Sequence, residues 1–339
     1  MPDRPALPVY LRITGLLFVL AGLVMWLLWA RYQQFLHSPL DIPFGGQVFV
    51  LEPGSGGSDI VRELAKKGLT RSGWEWKLLM RLEPHVYRSG EYHLAAGLLP
   101  REVLEKLASG QVIQYRLTLV EGWTFAQVVS SLNRNTHLEH RFELSDPERW
   151  PDLLSALDIE HPEGWFLPET YQFTRGDSDL DILMRAHKSM RHELDRAWAA
   201  RTPDLPLKSP YELLILASIV EKETALDAER GEIAGVFTRR LKKGMRLQTD
   251  PTVIYGLGSD FDGDIRRRDL RTDTPYNTYT RHGLPPTPIA MPGRASLQAA
   301  AQPADGDTLY FVADGNGGHT FSVTLEEHQA AVNRLLGRQ

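Results

Sequence analysis

The strongest pattern along the chain is its first apolar block. From Ile13 to Ala30 the sequence ITGLLFVLAGLVMWLLWA runs 18 residues without a charge. That is close to the ~20 residues needed to cross ~30 Å of hydrocarbon at ~1.5 Å per residue. Trp26, Trp29 and Tyr32 gather at its C-terminal end, and Arg12 and Arg31 bracket it, as interfacial rings and charged anchors do. The run exceeds a signal-peptide core and no A-x-A-like site follows it, so it reads as an uncleaved transmembrane helix over 13–32. Arg4 and Arg12 precede the span and Arg31 follows it. This bias predicts a short cytoplasmic N-terminus over 1–12 and an exported remainder, that is, a single-pass protein of the inner (cytoplasmic) membrane.

After a linker over 33–47, a second pattern appears three times. With Gly54, Gly97 and Gly122 as origins, position −3 is Leu51, Leu94 and Leu119; position +6 is Ile60, Val103 and Val128; position +7 is Val61, Leu104 and Val129; and position +10 is Leu64, Leu107 and Leu132. The last three positions follow one helical face, and glycine sits where a strand turns into a helix. The pattern therefore predicts small strand–turn–helix units over 48–138. The middle one, EYHLAAGLLPREVLEKLASG (Glu91 to Gly110), resembles the LysM-like segments that bind N-acetylated glycans. A role as packing units serves the pattern equally well. An acidic and polar connection over 139–159 leads to a mixed domain over 160–339, and the fold class expected for the whole chain is α+β.

Within that domain, Tyr211 to Val220 (YELLILASIV) is apolar on nearly every face from Leu213 onward, the mark of a buried helix. Pro210 stands near its start, with Ser209 as a candidate N-cap. The helix runs into Glu221-Lys222-Glu223-Thr224. A carboxylate there is either at the exposed end of the helix or held in a low-dielectric cleft, where desolvation keeps it protonated as a general acid. At ~100° per residue, Glu221 and Glu223 point ~200° apart, so only one can face a given bond. Glu221 follows Leu214, Ala217 and Ser218, whose small members leave room for a ligand. Glu223 follows the bulkier Leu216, Ile219 and Val220, which suits an ion pair or a hydrogen bond to a loop. The expected acid is Glu221.

Composition narrows the chemistry. The 339 residues are 42% hydrophobic and 24% charged with a net charge of −5, which excludes the basic footprint of a nucleic-acid binder. There is no cysteine, and the 11 histidines show no paired metal-ligand spacing, so neither a zinc cage nor thiolate chemistry is expected. Glu52 to Asp59 (EPGSGGSD) is Gly-rich but lacks the Gly-Lys-Ser/Thr ending of a phosphate loop. No cofactor is expected.

LASIVEKET (Leu216 to Thr224), GMRLQTDPTVIYGLG (Gly244 to Gly258), PYNTYTRHGLPPTPIAMPG (Pro275 to Gly293) and YFVADGNGGHTFS (Tyr310 to Ser322) resemble the endolytic murein transglycosylases, the YceG-like family. EGWFLPETYQF (Glu163 to Phe173) matches a further family motif, with Glu169 where an aspartate is common. The resemblance implies that the family's catalytic glutamate falls on Glu221. It also implies a lytic cleavage of peptidoglycan glycan strands. The acid protonates the glycosidic oxygen between N-acetylmuramic acid and N-acetylglucosamine. Its carboxylate then takes the proton of the muramoyl C6 hydroxyl as that oxygen closes a 1,6-anhydro ring, one group acting as acid and then base. Peptidoglycan synthases are the implied partners. Gln248, Thr249 and Asp250 precede Pro251, which fixes a turn that presents them to the cleft, unless Asp250 only makes an Asx turn. Asn277 and Tyr279 offer an amide and an aromatic face to a sugar, with core packing as the alternative for Tyr279. The proline-rich Gly283 to Gly293 segment is an extended lining loop. Asn316 to His319 forms a hairpin turn, and His319 is structural. The rival readings are a muramidase-type hydrolase with Asp250 as second acid and a membrane-tethered, glycan-binding scaffold without turnover.

Overall fold

A computed structural model describes residues 9–141 and 150–337; part of the expected 139–159 connection, 142–149, lies outside the described residues. The chain forms two compact units, one of residues 1–114 with 174–176 and the other of 115–173 with 177–339. These divide the chain differently from the 48–138 and 160–339 segments, because the third strand–turn–helix repeat belongs to the second unit.

The first unit begins with helix α1 (Val9–Leu36), which over Ile13–Leu36 is long and apolar enough to cross a membrane. Its apolar side chains stand exposed, Phe18 at 81% and Trp26 at 63%. The 33–47 segment is not a free tether. The helix continues through it to Leu36, and Tyr32, Leu36, Leu40 and Ile42 are buried in the unit's core. Arg31 pairs with the nearly buried Glu75 at 2.6 Å, so the end of α1 is built into the fold. Strand β1 (Gln47–Leu51), α2 (Gly57–Lys66), α3 (Trp74–Leu82), β2 (Gly90–Leu94) and α4 (Pro100–Ser109) follow. The two strands pair antiparallel from Gln47↔Leu94 to Leu51↔Gly90.

The second unit opens with the same order of elements: β3 (Tyr115–Thr118), α5 (Phe125–Asn133), α6 (Trp150–Leu157), β4 (Thr170–Phe173) and α7 (Asp179–Ala199). Its strands pair antiparallel from Tyr115↔Phe173 to Thr118↔Thr170. The second part of the expected connection is thus the helix α6, whose Leu153 and Leu157 enter the core. All the apolar positions of the three repeats are buried, and Gly54, Gly97 and Gly122 have φ of 81°, 86° and 74°. Packing therefore accounts for the spacing by itself.

The same geometry reveals a fourth repeat. With Gly176 (φ 97°) as origin, position −3 is Phe173, +6 is Ile182, +7 is Leu183 and +10 is Ala186, each buried. The pattern strand, helix, helix, strand, helix is thus present twice, with a Gly turn before the first and last helix of each copy.

The remaining helices carry the site. Helix α8 (Pro210–Glu223) starts as expected, with Pro210 in its first position and Ser209 Oγ accepting the Glu212 N–H at 3.3 Å. Every residue from Leu213 to Val220 is buried, because α9 (Asp227–Lys242), α10 (Asp250–Leu257), α11 (Arg294–Ala301) and α7 all pack on it. Strands β5 (Tyr310–Ala313) and β6 (His319–Ser322) form a hairpin, from Tyr310↔Ser322 to Ala313↔His319, and α12 (Leu325–Leu336) packs on it. Asp314 Oδ1 accepts the N–H groups of Asn316 and Gly318 at 2.7 and 3.1 Å, which holds the expected turn.

Candidate active site

Glu221 and Glu223 leave the end of α8 on opposite sides, as helical geometry requires, but the side that opens to a cavity belongs to Glu223. The face below Glu221 is filled by protein. Ser218 is fully buried: its hydroxyl donates to Ile215 O at 2.7 Å and accepts the Ile289 N–H at 3.0 Å, pinning the proline-rich loop onto the helix. Further along that loop, Met291 exchanges two backbone hydrogen bonds with the Gly122 turn, at 2.9 and 2.7 Å. Glu221 Oε2 accepts the Gly293 N–H at 2.9 Å and the Ser296 hydroxyl at 2.7 Å. Gly293 is the N-cap of α11, so Glu221 supplies the acceptor that the free N–H groups of a helix start require. The small residues Ala217 and Ser218 thus admit a neighbouring helix and loop, and Glu221 is tied to the start of that helix.

On the other side, Glu223 borders a cavity of about 470 Å³ together with Gln248, Thr249, Asp250, Tyr279 and His319, a volume in the range of small-ligand sites. The buried Thr249 hydroxyl donates to Glu223 Oε1, and among the described residues no hydrogen bond falls on its second oxygen. Burial pushes the Glu223 carboxyl up to about 7 against the lowering effect of the Thr249 bond; the nearby Asp250 charge raises it further, while His319 and Arg240 lower it. Near neutrality such a group is available as a proton donor.

Thr249 is held in turn by the Thr278 hydroxyl, which accepts its N–H at 3.1 Å. Gln248 stands in the left-handed region at φ 51°, a conformation that costs a non-glycine residue ~1–3 kcal/mol and marks functional turns. Asp250, in the first turn of α10, accepts the Tyr279 hydroxyl at 2.6 Å. Asn277 does not reach the cavity. It is buried, its Nδ2 donates to the carbonyls of Asp269, Leu270 and Thr272, and its Oδ1 accepts the Tyr279 N–H at 2.8 Å. It positions Tyr279 instead of meeting a sugar.

His319 belongs to the cavity wall. Both Glu229 oxygens hold it, one accepting its backbone N–H at 2.8 Å and the other meeting Nδ1 at 2.7 Å, which fixes the ring's orientation. Arg240, Tyr310 and His328 line the same wall, and sequence reasoning missed all three. Arg240 is one cation in the run Arg239-Arg240-Leu241-Lys242-Lys243, and nothing in that run says which one is buried.

A second acid shares the elevated pKa and was also missed. Glu163 is buried and pushed up to about 7 by desolvation. Both its oxygens are used, one by the Phe125 N–H and the other by the Tyr255 hydroxyl, each at 3.0 Å. It ties the start of α5 to α10, whereas Glu223 opens to the cavity. A larger groove of about 850 Å³ between α6 and α7 carries charged groups already committed to the fold, such as Asp181 at the α7 cap and Arg185 beside Asp177. Among the described residues no group of His, Asp and Glu has the arrangement of a metal site.

The model of the YceG-like family matches residues 49–334. A Bacillus subtilis (strain 168) protein named endolytic murein transglycosylase is 34% identical over 266 residues, covering 74% of this chain and 73% of that protein. A Streptococcus pneumoniae (D39) protein of the same name is 26% identical over 332 residues, and the match covers 87% of this chain but 60% of that longer protein. The crystal structure of a YceG-like protein from Listeria monocytogenes superposes with a TM-score of 0.54 at 30% identity, covering 84% of this chain and 98% of the other.

Proposed function

The chain belongs to the YceG-like family, and from that membership and the Glu223 cavity we propose that it is a membrane-anchored endolytic murein transglycosylase with Glu223 as its acid/base. One observation carries the assignment: Glu223, at the end of α8, combines an opening to the cavity with a carboxyl held near neutrality. In this reading protonated Glu223 donates to the glycosidic oxygen of the MurNAc–GlcNAc bond. The C6 hydroxyl of the muramoyl unit attacks C1 as that bond breaks, and the Glu223 carboxylate accepts the hydroxyl's proton, leaving a 1,6-anhydro end and regenerating the acid. The nucleophile is tethered within the substrate, so its high effective molarity competes with water without a second carboxylate to activate it. Tyr279 and the Gln248–Asp250 turn form the wall against the sugar. Action beside peptidoglycan synthases on nascent strands rests on the family resemblance alone.

The hydrolase reading draws on Asp250, whose carboxylate borders the same cavity. The product separates the two. Digestion of purified strands in ¹⁸O-labelled water is expected to leave new muramoyl ends unlabelled and lighter by one water in mass spectrometry. Labelled reducing ends would establish the hydrolase and make Asp250 the second acid; binding with no new ends would establish the scaffold.

The anchor is proposed from α1, whose Ile13–Leu36 stretch is long and apolar enough to cross a membrane and ends in the buried Tyr32 and Leu36. A reporter fused after Gln339 is expected to be active outside the cytoplasm, on a mature chain that retains α1. Cytoplasmic reporter activity would reverse the orientation, and a mature chain starting after Ala30 would remove the anchor.

A further inference from the structure

The cavity beside Glu223 holds a buried cation with no ion-pair partner in contact with it among the described residues. Arg240 is only 7% exposed. Its Nε donates to Leu309 O at 2.6 Å, and its Nη1 to Leu247 O at 2.7 Å and Arg246 O at 3.3 Å. These acceptors are all backbone carbonyls. Among the described residues no carboxylate lies within ion-pair distance of it. The cavity's acids make their hydrogen bonds to other groups: one oxygen of Glu223 to Thr249, and Asp250 to Tyr279. Nη2 has no protein acceptor among the described residues, yet it is not one of the sealed atoms, and Arg240 lines the cavity. The guanidinium also sits 5.1 Å from the Tyr310 ring centre, and His328 stacks on that ring at 5.3 Å, its buried Nδ1 without a hydrogen-bond partner among the described residues.

A buried charge is costly unless it is paired. Here the carbonyls immobilise one edge of the guanidinium fork and leave the other edge as a fixed donor at the wall. Such a group favours an anion of planar, hydrogen-bonding geometry, a carboxylate above others. Resting on the murein reading above, we propose that Arg240, with the Tyr310–His328 pair beside it, forms a subsite for a carboxylate carried by the glycan strand, so that the enzyme selects strands by their acidic substituents as well as by their sugars. Two sources carry that chemistry: the lactyl carboxylate of peptide-free muramoyl units, and the carboxylates of a stem peptide.

The test varies the substrate and leaves the protein intact. Wild-type full-length enzyme is assayed on peptide-bearing strands, on peptide-stripped strands, and on both after carbodiimide coupling to ammonia has turned their carboxylates into neutral amides. A charge-assisted contact of this kind is expected to raise KM about tenfold to a hundredfold on amidation, with a smaller change in kcat. A rise confined to peptide-bearing strands assigns the stem peptide as ligand; a rise confined to stripped strands assigns the lactyl group. Arg240→Gln, checked for folding by thermal melting, is expected to lose the distinction between native and amidated strands. Equal KM for native and amidated strands of both classes with the wild-type enzyme overturns the subsite and leaves the lytic reading standing. If no strand is cleaved, that reading falls, and calorimetric titration of the four strands against Glu223→Gln decides the subsite: tighter binding of the native carboxylates upholds it, and equal or absent binding overturns it.

Discussion

Glu223→Gln is expected to slow strand cleavage by about 10²–10⁴-fold while the protein stays folded. The amide keeps an oxygen for the Thr249 hydroxyl, so the wall of the cavity retains its hydrogen bond. What it lacks is the proton for the glycosidic oxygen. Glu221→Ala is expected to do the reverse. It leaves the Gly293 N–H and the Ser296 hydroxyl without their acceptor, which costs about 1–3 kcal/mol for a buried donor, and it spares the chemical step in molecules that remain folded. Urea denaturation and product release from purified strands, measured on both variants, separate the two roles. Full turnover by folded Glu223→Gln, or a stable and inactive Glu221→Ala, would return the acid to Glu221.

The second large effect is on pH. The carboxyl of Glu223 is held at about 7, and in the proposed mechanism the acid form breaks the bond. The cleavage rate should therefore be level on the acid side of about 7 and fall towards tenfold per pH unit above it, as the fraction of protonated enzyme falls. The neighbours fix the sign of two further shifts. Thr249 donates to the carboxylate and lowers its pKa, whereas the Asp250 charge raises it. Thr249→Val should then move the fall to higher pH and Asp250→Asn to lower pH. The midpoint is read from kcat/KM, which reports the free enzyme to which that value belongs. Midpoints that move together, or do not move, would separate the limb from Glu223.

Much of this was legible because it depends on periodicity. The Gly turns and their apolar positions, the N-cap at Ser209, the buried run of α8 and the β5–β6 hairpin all follow from local pattern. The choice between two acids does not. Small side chains at Ala217 and Ser218 signal close approach, and nothing local says whether a ligand, a loop or a helix approaches; α11 and the Ile289 segment do. Asn277 misled for a related reason, since an amide suited to a sugar is equally suited to three carbonyls of its own loop. The fourth repeat escaped because Phe173 and Ala186 replace leucines at the end positions. Ala186 is fully buried, and its carbonyl accepts the Leu167 N–H at 3.1 Å. Arg240 and His319 take their roles from chain segments about 70 and 90 residues away, a separation that no spacing rule reaches.

The tie between Glu221 and α11 bears on how much order a ligand has to bring with it. Immobilising a glutamate side chain costs about 1.5–2 kcal/mol of conformational freedom, and here folding meets that cost, through a backbone amide and a serine hydroxyl that already belong to a helix start. The last turn of α8 is therefore a rigid mount: one acid bolts it down, and the other, two residues on, stands at a set height above the cavity floor before any strand arrives. Short fragments and long polymers meet the same alignment of acid and bond, and substrate length can act only through grip further along the chain.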